Sequence, residues 1–370
     1  MKKIGIITFH FENNYGAVLQ AYSLQNTIKK FGYCVEIIDF RSQNMLKVYE
    51  GNSFKEKIHK LLSYYWIKRI NKKFIDFRKN LYSMTSKQYN STEELDSDNL
   101  KYDVLVAGSD QIWNQTIDYQ KAFYLEIKGT DKIKKISYAS SFGKEKLEKG
   151  EKEEVLEYIN KLKYISVRED KTKEYLETKL KRKIYHVLDP VFLTSKEEWL
   201  QISQKINCKK LKKEYILIYQ MEKNKKTFEI AKKISEYLAV DVIYLDVADP
   251  KLKAILLNSF SEYKKIFNIG PEEFLTLINE AKCIITNSFH GVAFSVLFDR
   301  PFLNIKHSKR NLRMESLIRI VKIEEKILEK KDYNLSGEEL YKKAIKKIKK
   351  EYLNKEIIKS LDYLKMALED

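Results

Sequence analysis

The chain has 370 residues, 44% of them hydrophobic and 12% aromatic, which supports a substantial core and, on length, two domains rather than one. Its net charge is +18, yet the hydrophobic content excludes general disorder, and eleven glycines and four prolines leave no low-complexity linker. No run of about 18 apolar residues occurs, so no membrane-spanning helix is expected.

The opening MKKIGIITF is too short an apolar run for a signal peptide. HFENN ends it at once, so residues 3–9 read as a buried first strand. Residues 17–31 place Val18, Leu19, Tyr22, Leu24, Ile28 and Phe31 at helical spacing, and Gly32 stops the helix. Residues 35–40 are a second apolar strand. Strand, helix and strand with short joints imply a parallel sheet. Residues from about 50 to 85 change character and read as a basic, aromatic-rich helical insertion. Strands return at 103–107, 133–139, 164–167 and 185–188, with helical patterns at 152–162 and 171–180 between them. A second run begins near Ser195. Its strands are 215–219, 241–245, 267–269, 283–286 and 301–305, and its helices 227–238, 271–281 and 288–298. After Arg310 the pattern is helical and Lys-rich to the end.

Two runs of alternating strand and helix predict an α/β protein of two Rossmann-like, doubly wound domains facing a cleft. The first covers residues 1–194 with the insertion at about 50–85; the second covers 195–370 with the C-terminal helices. In such sheets ligands bind outside the carboxyl ends of the strands, so the strand-end segments are the places to search.

Four of them concentrate polar residues. HFENNYG (residues 10–16) precedes the first helix. Asn14, Tyr15 and Gly16 suit either an anion site at a helix start or a plain cap. The segment is neither a dinucleotide fingerprint nor a P-loop. GSDQIWN (108–114) follows a buried strand. Ser109, Asp110 and Asn114 fit a ligand-facing set or a turn in which Asp110 caps. SSFG (140–143) and SVRED (166–170) come next. Arg168, with Glu169 beside it, can fork onto a carboxylate or phosphate, or form a structural ion pair. TNSFHG (286–291) is the sharpest. Asn287 or Ser288 caps the next helix, His290 falls in its first turn, where the helix dipole favours a neutral ring, and Gly291 leaves room for a ligand.

Other features carry less. Asp96-Ser97-Asp98 resembles a metal-holding acidic pair but precedes a strand, so it reads as loop. The stripe Tyr64, Tyr65, Trp66, Phe74 and Phe77 reads as the packed face of the insertion, with peripheral membrane contact as the other use. Cys34, Cys208 and Cys283 have neither disulfide nor zinc spacing, which suits a cytoplasmic protein that can meet the inner face of the membrane. No metal-ligand cluster is visible, and neither a metal nor a cofactor is expected. The excess Lys reads as solvated helix surface, and nucleic acid is not an expected partner.

The segments NNYGAVLQAYSLQ, VLVAGSDQIWN, ISYASSFG, SVRED, VLDPVFL, PEEFLTLINEAKCIITNSFHGVAFSVLFDRPF and RNLRMESLIRIV resemble the polysaccharide pyruvyl transferase family, in its order, from residue 3 to about 320. The resemblance implies a glycosyltransferase-B-like fold. It also implies transfer of a pyruvyl group from phosphoenolpyruvate to two hydroxyls of a sugar, as a ketal, in cell-surface polysaccharide synthesis. Family members often carry Arg-Leu-His where this chain has Ser288-Phe289-His290, with the Arg and His at the donor. The His is kept, and another cation must replace the Arg.

That chemistry needs an acid/base, cations for carboxylate and phosphate, and groups that orient hydroxyls. His290 is the expected catalytic residue. Arg168 and Arg313 are the expected anion clamps, with Lys306 and Arg310 behind them. Asn14, Tyr15, Gly16, Ser109, Asp110, Asn114, Glu169 and Ser288 complete the expected substrate contacts. The partners are phosphoenolpyruvate and a sugar or lipid-linked glycan acceptor. Two other readings stay open: a nucleotide-sugar-dependent glycosyltransferase on the same architecture, and a non-enzymatic protein binding polyanion or membrane.

Overall fold

The computed structural model describes residues 1–42, 54–204, 214–245, 263–266, 268–308 and 311–370, with the backbone alone at 54–67. Arg310 and Cys208 lie outside the described residues. The chain divides into two compact units, Met1–Gly51 with Arg78–Thr194 and Glu351–Asp370, and Asn52–Phe77 with Ser195–Lys350.

The first unit is built from β1 (Lys3–Ile7), α1 (Tyr15–Lys30), β2 (Cys34–Phe40), the end of α2 (Phe54–Leu81), β3 (Met84–Tyr89), α3 (Thr92–Asp96), β4 (Val104–Ala107), β5 (Lys134–Ser137), α4 (Val155–Asn160), β6 (Ser166–Val167), α5 (Asp170–Leu180) and β7 (Tyr185–His186). Its sheet runs β3-β2-β1-β4-β5, with every pair parallel. The order reverses between β1 and β4, which opens a crevice at their carboxyl ends. Both faces of the central strands are covered, so β1 after Lys3 and all of β4 are runs of buried residues rather than alternating ones. Leu105 and Ala107 pack on one face with Ile7 and Phe9, and Val104 and Val106 on the other with Ile4 and Ile6. Burying one such aliphatic side chain contributes about 1.5–3 kcal/mol.

The second unit takes up α6 (Lys196–Ile202), β8 (Tyr215–Tyr219), α7 (Lys225–Leu238), β9 (Asp241–Leu245), β10 (Lys264–Ile266), α8 (Pro271–Glu280), β11 (Cys283–Thr286), α9 (Phe289–Leu297), β12 (Phe302–Ile305), α10 (Leu312–Val321), β13 (Ile327–Leu328) and α11 (Gly337–Ala344). Its sheet runs β10-β9-β8-β11-β12-β13, again parallel throughout, and reverses between β8 and β11. On α2, Lys73 donates to Asn268 O at 2.7 Å and pairs with Glu273 at 2.5 Å, which fixes this helix to the start of α8. Of the aromatic stripe, Phe74 and Phe77 are buried, and the side chains of Tyr64, Tyr65 and Trp66 lie outside the described residues.

Three elements differ from the sequence pattern. The polar run at residues 84–89 is a strand, β3, because an edge position needs one partner and no buried face. The short strand placed at residues 267–269 is Lys264–Ile266, and Phe267 lies outside the described residues. The tail after Arg310 is not continuously helical. Glu324–Lys326 and Lys330–Asn334 are 3-10 turns, and Ile327–Leu328 is the sheet's last strand.

The last helix, α12 (Lys350–Glu369), belongs with the first unit rather than the second. Tyr363, Leu364, Ala367 and Leu368 pack on the face formed by Ile4, Ile6, Val104 and Val106. Tyr363 donates to Ser137 O at 2.8 Å, and Ser360 receives the Leu188 N–H at 2.9 Å. Helical spacing shows that α12 has an apolar face but not which sheet that face covers.

Candidate functional site

In the second unit the residues singled out by the sequence gather at the carboxyl ends of β8 and β11, where strand order reverses. Asn287 ties the two ends together. Its side-chain oxygen accepts the Met221 N–H at 2.7 Å and its amide donates to Glu222 O at 2.7 Å. Thr286 Oγ1 accepts the Ser288 N–H at 3.0 Å, and Ser288 caps α9 by accepting the Gly291 N–H at 3.4 Å. His290 therefore sits in the first turn of α9, as the sequence predicts. Its ring is buried against Phe289, edge to face at 5.0 Å. The Arg313 guanidinium lies over the Phe289 ring, 5.5 Å from its centre. Tyr219, at the end of β8, has its hydroxyl pushed up to about 12 by burial, against a hydrogen bond with Ser288. Lys306 is turned toward Glu315 at 3.6 Å.

Gly291 has a different role from the one the sequence suggests. A Cβ there would stand 2.3 Å from Thr286 Oγ1 and 3.0 Å from the Tyr219 ring. The missing side chain lets α9 press onto β8 and β11; it does not leave space for a ligand. The contact fixes where the first turn of α9, and so His290, can sit.

In the first unit Asn14 is a cap. Its side-chain oxygen accepts the N–H groups of Gly16 at 3.0 Å and Ala17 at 3.3 Å, so Tyr15 and Gly16 open α1 with two donors already engaged. GSDQIWN is bonded mostly to itself and its neighbours. Ser109 donates to Ala139 O at 3.0 Å and is fully buried. Asn114 donates to Gln111 at 3.0 Å and accepts from the Thr116 hydroxyl at 2.7 Å. Gly143, with φ of +71°, brings SSFG against this loop so closely that a Cβ would stand 2.0 Å from Gln111 Oε1. Asp110 holds a left-handed φ of 72°, which Asp tolerates better than most residues.

Arg168 is not an open clamp. Its guanidinium is buried among three carboxylates, Asp189 at 2.5 Å, Asp110 at 3.4 Å and Glu169 at 3.7 Å. Burial would lower its proton affinity, and these acids reverse that and hold it above the ordinary value. Glu169 also accepts the Ser141 hydroxyl at 2.6 Å. Only Glu169 adjoins Arg168 in the chain; Asp110 and Asp189 come from distant segments, so the sequence could not show that the charge is already matched.

Several groups that sequence reasoning passed over lie at the same strand ends. Glu12, in the turn after β1, has its carboxyl raised to about 7, first by burial and then by Asp110 and Asp118. Asp118 is itself buried and accepts the Ser42 hydroxyl. Near the end of β2, burial would raise Asp39, but hydrogen bonds from His10 and Arg41 hold it below its ordinary value. HFENNYG held the signal for Glu12 in the sequence, a carboxyl at a strand end beside Asn13 and Asn14. Among the described residues no group of three His, Cys, Asp or Glu side chains could hold a metal ion, and no helix is long and apolar enough to cross a membrane.

Residues 14–309 match the family model described as polysaccharide pyruvyl transferase. No curated protein matches the chain by sequence. Among solved structures, the chain resembles the Staphylococcus aureus MnaA–UDP co-structure, with a TM-score of 0.56 at 12% identity, over 99% of this chain and 98% of that one. It also resembles a putative UDP-N-acetylglucosamine 2-epimerase from Listeria monocytogenes, with a TM-score of 0.55 at 11% identity over 99% and 91% of the two chains. A third is the UDP-GlcNAc 2-epimerase of Methanocaldococcus jannaschii in complex with UDP-GlcNAc and UDP, with a TM-score of 0.53 at 16% identity over 98% and 99%. At these identities the likeness shows the fold, a glycosyltransferase-B-like pair of Rossmann-type sheets.

Proposed function

Since the chain belongs to the polysaccharide pyruvyl transferase family, we propose that it transfers the pyruvyl group of phosphoenolpyruvate to two hydroxyls of a glycan sugar, forming a ketal on the cytoplasmic side of the membrane. The observation that carries this reading is a family match over residues 14–309, which spans the strand ends of both sheets and includes His290.

The reaction needs one proton delivered to the methylene carbon of the donor. The central carbon then becomes cationic, and a first sugar hydroxyl attacks it. The C–O bond to phosphate breaks, a second hydroxyl attacks, and its proton leaves with the phosphate. Two hydroxyl protons are thus consumed, one on carbon and one on phosphate. A positioned acid/base speeds such transfers by about 10²–10⁴. His290 fills that role because Ser288 and Gly291 fix its helical turn against β8 and β11. Arg313, beside Phe289, supplies a cation for the donor's carboxylate. In the first unit, Glu12 is a carboxyl poised near neutrality that can take or return a proton from a hydroxyl.

The competing reading is a nucleotide-sugar enzyme, which the similarity to structures holding UDP or UDP-GlcNAc keeps in view. Thermal melting with each ligand separates the two. Phosphoenolpyruvate should raise the melting temperature in a saturable way, and UDP-sugars should not. Stabilisation by UDP-sugars alone would replace pyruvyl transfer with the competing reading.

A further inference from the structure

In the second sheet the strand order reverses between β8 and β11, so the turn that leaves β8 adjoins the turn that carries His290. Gln220 is the first residue after β8. Its chain neighbours both meet the other turn. Tyr219 pairs with Thr286 in the strand register, and the Met221 N–H donates to Asn287 at 2.7 Å. The Gln220 side chain is turned toward the start of α7. It is 2% exposed, and its Oε1 accepts the N–H of Asn224, the cap of α7, at 3.2 Å. Only the oxygen of an amide accepts an N–H, so this bond fixes which end of the side chain is which. The Nε2 end makes no hydrogen bond among the described residues.

A second group at the same helix start is in the same state. Thr227, in the first turn of α7, is fully buried, and its hydroxyl makes no hydrogen bond among the described residues. Asn224 touches both: its carbonyl accepts the Thr227 N–H at 3.2 Å, and its own N–H serves Gln220. Two donors are thus buried at the positive end of a 14-residue helix. A buried donor left without an acceptor is costly, and one that meets an acceptor there bonds strongly. The acids of this turn are engaged elsewhere. Glu222 accepts the Ser308 N–H at 2.8 Å and faces His307 at 3.4 Å, and Glu229 holds Lys226 at 2.6 Å. The complement of two donors at a helix start is an oxygen that carries negative charge.

We infer that Gln220 Nε2 and Thr227 Oγ1 donate to an anionic group of the substrate at the carboxyl end of β8, across the strand-order reversal from the turn of His290. Naming that group rests on the pyruvyl-transfer reading, in which it is the carboxylate or the phosphoryl group of phosphoenolpyruvate.

The test is calorimetric titration of the full chain with phosphoenolpyruvate, inorganic phosphate, pyruvate and UDP. Gln220→Leu removes one donor. Gln220→Glu removes it too, but keeps an oxygen for the Asn224 N–H. Thr227→Val removes the other donor at nearly constant shape, and Thr227→Ser restores it. Glu236→Gln, on the exposed side of α7, is the control. Each donor-removing variant should weaken phosphoenolpyruvate about tenfold or more, while Thr227→Ser and Glu236→Gln should bind as wild type does. A parallel loss for inorganic phosphate assigns the phosphoryl group, and a parallel loss for pyruvate assigns the carboxylate. Losses for UDP alone would keep the two donors and overturn pyruvyl transfer. Where the Gln220 variants fail to fold, Thr227→Val against Thr227→Ser decides. The inference is refuted if the wild-type protein binds none of the four probes saturably, or if folded Gln220 and Thr227 variants bind them all as tightly as wild type.

Discussion

Replacing Arg168 separates an internal charge hub from an open substrate clamp. The side chain is buried, and Asp189, Asp110 and Glu169 contact it at 2.5, 3.4 and 3.7 Å. Arg168→Leu removes a cation that lies within ion-pair distance of all three. Breaking a buried ion pair from one side costs about 3–5 kcal/mol, because the partner charge is left in a poor solvent. With three partners the loss should lie at the upper end of that range, even with protonation of some of the acids. Arg168→Lys keeps the charge but lacks the fork that reaches several carboxylates at once, so it should recover part of the loss. The assay is urea unfolding followed by circular dichroism, at several pH values. In Arg168→Leu the orphaned carboxyls favour the protonated form while folded, so the folded variant holds protons that the unfolded chain releases. Its deficit should be largest at alkaline pH and shrink as pH falls. An Arg168→Leu protein within about 1 kcal/mol of wild type, but weakened tenfold or more toward phosphoenolpyruvate, would refute this account and restore the clamp.

Glu12→Gln tests the raised carboxyl. Its folded value of about 7 lies above the ordinary 4.5, so its contribution to stability is complete below the ordinary value and is lost as pH rises through about 7. The upper limit is about 3 kcal/mol, reduced by partial exposure. Wild type should therefore fall behind Glu12→Gln in unfolding midpoint at pH 8 and match it near pH 4; parallel curves would remove the shift. Gly291→Ala brings a Cβ to 2.3 Å from Thr286 Oγ1, so α9 must move or Thr286 must rotate. We expect a stability loss of about 1–3 kcal/mol with a larger proportional loss of turnover, since His290 rides on the same turn. Thr286→Ala in the same chain should recover part of both. Equal losses of stability and activity, with no recovery, would separate Gly291 from His290.

Much of the architecture was readable because it rests on periodicity. Buried parallel strands such as residues 104–107 and 283–286 are continuous apolar runs, and the helices between them carry one apolar face each. The placement of His290 was readable for the same reason: a capping Ser288 after a strand sets the first turn of the next helix. The elements that escaped are those whose stability comes from neighbours. β3 is polar because it lies at a sheet edge, and β13 is too short to show a pattern. α12 has an apolar stripe that any sheet face could cover. The charges were the least readable. Arg168 looks exposed in SVRED until Asp110 and Asp189 are brought to it.

The central claim is pyruvyl transfer, and it is tested most directly by incubating the protein with phosphoenolpyruvate and a panel of free and lipid-linked sugars. Phosphate release and the mass of the sugar product are read together. The account predicts phosphate release that depends on a sugar with two suitably placed hydroxyls, a product heavier by one pyruvyl ketal, and loss of both in a folded His290→Ala variant. Phosphate released with no change in the sugar, or a product formed only from UDP-sugars, would contradict it.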